Sequence, residues 1–133
     1  MDMNASMIVR SLFTVLAVIP GAHQARAETE LGCSFSTVCL ETSTCSVRDL
    51  QVMVSYNGHK GQLETPGQSF KISRVQDAGS GAVSFLTEES NGSTAFLTVY
   101  NNLEARLTLH FHRPEPTAMT NFGQCEGEIE WAE

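Results

Sequence analysis

Three groups of side chains in this sequence have the chemistry for a reactive or ligand-binding site: four cysteines, a close histidine pair, and a serine set between glycines. Cys33, Cys39 and Cys45 are evenly spaced with five residues between neighbours, and Cys125 stands far downstream. That spacing is not the two-residue redox motif, and an even count leaves two disulfides as the default. His110 and His112 lie two apart, so on a strand they project from one face and could share a metal ion. His59, Glu88 or Glu104 would have to complete such a site; the plainer reading is a solvated face shared with Arg106 and Thr108. Ser80 sits in Ala78-Gly79-Ser80-Gly81-Ala82, where the glycines flank the serine directly inside a turn. A nucleophile elbow needs a strand-to-helix turn with the glycines two residues away, so its mechanics are missing. No nucleophile and base can be paired, and the chain reads as non-catalytic with no cofactor.

Those residues must be held by strands, because helix signals are nearly absent after residue 30. Phe35 and Thr37 alternate with serines in a first segment that ends near Leu40. Leu50, Val52, Val54 and Tyr56 alternate with polar neighbours up to Asn57-Gly58, a two-residue hairpin signal. A short return segment, His59 to Glu64, stops at Pro66-Gly67. Phe70 and Ile72, then Val83 and Phe85, then Ala95, Leu97 and Val99, mark three further strands. Turn residues separate them, including Asn91-Gly92-Ser93, which reads as a turn although it fits a glycosylation acceptor. Leu107, Leu109 and Phe111 form a seventh strand and residues 118 to 125 the last. Beyond Cys125, Ile129 and Trp131 alternate with glutamates and would extend that strand over apolar surface. If Ala95, Leu97 and Val99 face the core, Phe96 and Tyr100 face outward, where they would pair with His110 and His112. Phe96, Tyr100 and Trp131 are therefore the candidate binding patch.

Four cysteines allow three pairings, and strand geometry removes two. Cys33 and Cys39 on one strand lie about 20 Å apart at ~3.3 Å per residue, whereas bridged Cα atoms must approach within roughly 7 Å. Cys39 and Cys45 flank a five-residue loop and would face each other across a hairpin. Cys33 would then lie opposite about residue 51, again about 20 Å from Cys45. The expected bridges are Cys39–Cys45 and Cys33–Cys125. The second sets the first strand beside the last, which favours a small closed all-β, antiparallel up-and-down barrel of about eight strands over a β-sandwich.

Residues 1–27 read as an export signal: Arg10, an apolar stretch from Ser11 to Ala22, then Ala25-Arg26-Ala27 as the peptidase site. The stretch is too short to span a bilayer, which takes roughly 20 residues. Residues 28–133 would then be one β domain in an oxidising compartment, the periplasm, where disulfides form. The whole chain has 15 acidic and 8 basic residues; removing Asp2, Arg10 and Arg26 leaves 14 and 6, a net charge of −8. Such a surface repels nucleic acid and anionic lipid and suits a basic partner or a cation.

At the Cys33–Cys45 segment and at Phe122-Gly123-Gln124-Cys125-Glu126, the chain resembles small periplasmic disulfide-containing β proteins of alphaproteobacteria. The resemblance implies the compartment and the cysteine-rich first strand, and brings no assigned activity. Size and strand count are also similar to the periplasmic lysozyme inhibitors, which are small antiparallel barrels. Their loop motif, Ser-Gly followed by a tyrosine, has no counterpart, since Ser80-Gly81 leads into Ala82-Val83-Ser84-Phe85. The resulting expectation is an exported, non-catalytic β-domain that binds another envelope protein. The alternative is a periplasmic metal-binding protein using His110 and His112.

Overall fold

Period-two patterning becomes eight strands in a computed structural model that describes residues 27–41, 44–75, 81–112 and 114–130. The expected export segment up to residue 26, Ser80 and Trp131 lie outside the described residues. The strands are β1 (Thr29–Leu40), β2 (Thr44–Asn57), β3 (Lys60–Thr65), β4 (Gln68–Val75), β5 (Ala82–Thr87), β6 (Ser93–Tyr100), β7 (Glu104–Phe111) and β8 (Thr117–Gly127). Each pairs with the next and β8 returns to β1, closing an antiparallel barrel. Tight turns make this meander possible. Gly58 and Gly67 take φ of 62° and 91° in the β2–β3 and β3–β4 turns, a region open to glycine at no steric cost.

Alternate residues point into the barrel and fill it. Leu31, Phe35, Val54, Tyr56, Phe85, Leu97 and Leu107 are fully buried there. The Tyr56 and Phe85 rings meet at 5.0 Å between centroids, tilted by 55°. Arg74 closes one end of the barrel, its guanidinium 5.5 Å from the Tyr56 ring and donating to the Glu130 carbonyl. Two polar residues are buried among the apolar ones. Thr87 Oγ1 accepts the Ala95 N–H at 2.8 Å, and Asn121 Nδ2 donates to the Leu107 carbonyl at 3.1 Å.

The expected bridges are both present, between directly opposed residues. Cys33–Cys125 has a Cα separation of 3.9 Å and Cys39–Cys45 one of 4.0 Å. Cys33 faces Val52, one residue from the expected position. The cause is a bulge. Between Phe35 and Thr37, β2 spends Arg48 and Asp49 where β1 spends Ser36. On the other side, β1 spends Ser36 where β8 passes straight from Gly123 to Phe122. A one-residue offset exchanges the two faces of a strand. Cys33 and Phe35 therefore point inward, whereas Cys39 sits opposite Thr120, whose hydroxyl bonds to that of Thr108 on the outer wall. Gly123 permits the close approach at this seam: a Cβ there would lie 2.0 Å from the Ser34 carbonyl oxygen and 2.7 Å from the Phe35 Cα.

The expected extension of β8 through Ile129 stops at Gly127, whose φ of 129° turns the chain off the ladder. Ile129 nevertheless packs against the core.

Candidate functional site

The histidine pair sits on the outside of the barrel, at the end where β1 meets β2. His110 is exposed on β7, between Thr94 of β6 and Ala118 of β8. His112 is exposed just past the strand, its N–H donating to the Gly92 carbonyl at 2.8 Å. Of the residues expected to complete a metal site, only Glu88 shares their end. His59 lies in the β2–β3 turn, where its carbonyl accepts the Arg74 N–H at 2.8 Å. Glu104 begins β7, six positions from His110 and so about 20 Å away at ~3.3 Å per residue. Among the described residues no three His, Cys, Asp or Glu side chains gather into a metal-binding group.

The aromatic–imidazole patch does not assemble as expected. Phe96 lies directly opposite Thr108, with His110 one diagonal step away. Tyr100 is paired with Ala82 at the far end of β6, four residues or about 13 Å beyond Phe96. The register explains the correction: Ser93 meets Phe111, so the histidines and Tyr100 occupy opposite ends of the β6–β7 ladder. Phe96 has a different partner. Leu86 of β5 stands opposite it, and Val75 of β4, opposite Ser84, continues the same outward face. Leu86, Phe96 and Val75 are 45%, 38% and 43% exposed. Hydroxyl pairs border this strip, Ser84 with Thr98 at 3.0 Å and Thr108 with Thr120 at 3.2 Å.

Leu86 and Val75 were missed as surface residues, although a signal existed for Leu86. Val83, Phe85 and Thr87 all take the inward positions of β5. Leu86 is thus an apolar residue in an outward slot, legible once the alternation is followed to the end of the strand.

Around the barrel, β1, β8 and β7 frame an outer groove of ≈ 540 Å³ lined by Ser34, Ser36, Glu104, Arg106, Phe122 and Gln124, among others. The Arg106 guanidinium lies over the Phe122 ring at 4.9 Å, so the groove is lined by the charged Glu104 and Arg106 as well as by hydroxyl and amide groups. No family model, curated protein or solved structure matches this chain. The surface must therefore be read on its own chemistry: a filled barrel, a hydroxyl-rich wall, and an apolar strip across β4, β5 and β6.

Proposed function

We propose that the protein is an exported, non-catalytic β-domain of the bacterial periplasm that binds another envelope protein through its outer wall. The observation that carries this reading is the Val75–Leu86–Phe96 strip. Three of the six large apolar side chains most exposed among the described residues fall on it. Contiguous apolar surface rimmed by polar groups marks contact sites for other molecules. Two supports concern the compartment and the solvent. Two disulfides in a β-barrel are compatible with export. An apolar interior inside a wall of Ser, Thr and charged residues is the inverse of a membrane barrel, whose outer band is apolar and whose lumen is polar. That distribution favours a wall facing water and, at the strip, a protein.

The test is affinity capture from periplasmic extract, with the mature domain as bait beside a Leu86→Ser/Phe96→Ser variant. The reading expects a protein held by the wild type and lost from the folded variant. Equal recovery by both baits would remove the wall from the account.

A further inference from the structure

The barrel is closed, yet β2 keeps a long free edge among the described residues. β2 is paired with β1 from Thr44 opposite Leu40 to Tyr56 opposite Thr29, apart from the bulge at Arg48 and Asp49. Its other neighbour, β3, reaches only from Asn57 to Met53, where the ladder ends at Glu64. Among the described residues the first part of β2, Thr44 to Val52, therefore has a sheet neighbour on one side only. In an antiparallel pair, closely approaching residues are the non-hydrogen-bonded ones, and their backbone groups point away from each other. The Cys39–Cys45 pair, at a Cα separation of 4.0 Å, is of that kind, and so is Thr37–Val47, two residues along. The N–H and C=O groups of Cys45 and Val47 thus face the open side, and none of the backbone bonds outside the ladders reaches them among the described residues. Thr44 to Val47 are all exposed, and the Val47 side chain is 95% exposed.

An unpaired edge of this kind is commonly blunted by charge, proline or a bulge. Here the Arg48–Asp49 bulge interrupts the edge, but its outer part carries no charge from Thr44 to Val47. The Cys39–Cys45 bridge holds that part of the hairpin in register, so the edge is presented in a fixed conformation. At its inner end the edge runs into a recess of ≈ 280 Å³ lined by Gln51, Val52, Met53, Glu64 and Pro66, among others. Met53 is 47% exposed there. A strand laid along Cys45–Gln51 would continue the line of β3 and end over Met53 and Glu64.

The geometry points to strand addition at this edge: β2 takes up an extended segment of another protein, one that sets apolar side chains with a terminal basic one on the outer face. The free backbone groups require an extended chain. Val47 and Met53 lie on the outer face and match apolar side chains there, and Glu64, opposite Met53 on that same face, together with the net charge of −8 on residues 28–133 matches a basic residue at the end of the segment. The same charge opposes a second copy of this chain. This edge is separate from the Val75–Leu86–Phe96 strip and does not depend on it.

The probe is a synthetic eight-residue peptide with threonine on one face and, on the other, valine at the centre and lysine at both ends, beside the same peptide with every backbone amide N-methylated. Binding is followed by amide chemical shifts of the mature domain. The expected result is saturable binding with shifts centred on Cys45 to Gln51, weakened at least about tenfold by N-methylation, which removes the ladder donors. Val47→Pro should weaken it equally, because the Val47 N–H faces the open side and its loss spares the β1–β2 ladder. Leu86→Ser/Phe96→Ser should leave it unchanged. Equal binding of the N-methylated peptide, shifts elsewhere, or a wild-type dimer joined through β2 would each overturn the assignment.

Discussion

Cys33–Cys125 and Cys39–Cys45 are the same bond made twice, between directly opposed residues of antiparallel strands, only six residues apart along β1. They lie on opposite sides of the wall. Cys33 and Cys125 are 1% and 2% exposed, inside the core; Cys45 is exposed on the outer face. The bulge between Phe35 and Thr37 puts them there by exchanging the faces of β1 midway. The inner bridge spans 92 residues and ties the first strand to the last. The outer one spans six and ties a hairpin that its own ladder already holds. Identical chemistry thus acts on the topology in one place and on the shape of a local surface in the other.

The largest effect that could break this comparison is loss of the inner bridge. Cys33→Ala/Cys125→Ala should cost about 4–5 kcal/mol on the entropic account of a long loop. Denaturant unfolding with the outer bridge intact measures it, and a cost no greater than that of the outer bridge would erase the distinction.

Next comes the seam itself. Gly123→Ala drives a Cβ into the Ser34 carbonyl and the Phe35 backbone, and should cost about 1–3 kcal/mol or more as overpacking. Gly32→Ala, on the neighbouring strand, meets only the Met53 methyl at 3.8 Å. It should be neutral or stabilising by up to about 1 kcal/mol. Thermal unfolding of the two variants side by side sharpens the contrast, and similar losses in both would refute it.

A smaller effect is expected outside. Cys39→Ala/Cys45→Ala should cost about 2 kcal/mol or less and leave near-ultraviolet dichroism of the core, including Tyr56 and Phe85, unchanged. A collapse of that signal would mean that the outer hairpin is part of the core's cooperative unit.

The smallest expected effect belongs to the histidines. His110→Ala/His112→Ala should change stability by no more than about 0.5 kcal/mol, as exposed substitutions do. Calorimetry with zinc should show no saturable site in the wild type. A stoichiometric site abolished by the double variant would favour the metal-binding alternative.

The barrel was legible in the sequence because its determinants are local: alternation, turn residues, and four cysteines whose spacing leaves one feasible pairing. The one-residue error at Cys33 arose because a bulge is a feature of two strands together, and Ser36, Arg48 and Asp49 carry no mark of it alone. The surface was less readable for the same reason. Whether Phe96 meets His110, Thr108 or Leu86 depends on register across two ladders, which no single strand encodes. The free edge of β2 follows from β3 being eight residues shorter than its neighbour, a difference of lengths visible only once the strands are paired.

Partial reduction of the folded mature domain, followed by alkylation and peptide mapping, tests the inner-and-outer assignment most directly. Before reduction, the map should contain Cys33 joined to Cys125 and Cys39 joined to Cys45. Under mild reductant, the exposed bridge should open first, so alkylation should appear at Cys39 and Cys45 while Cys33 and Cys125 stay protected until the barrel unfolds. A peptide joining Cys33 to Cys45, or labelling of Cys33 and Cys125 at the same rate as the outer pair, would contradict the account.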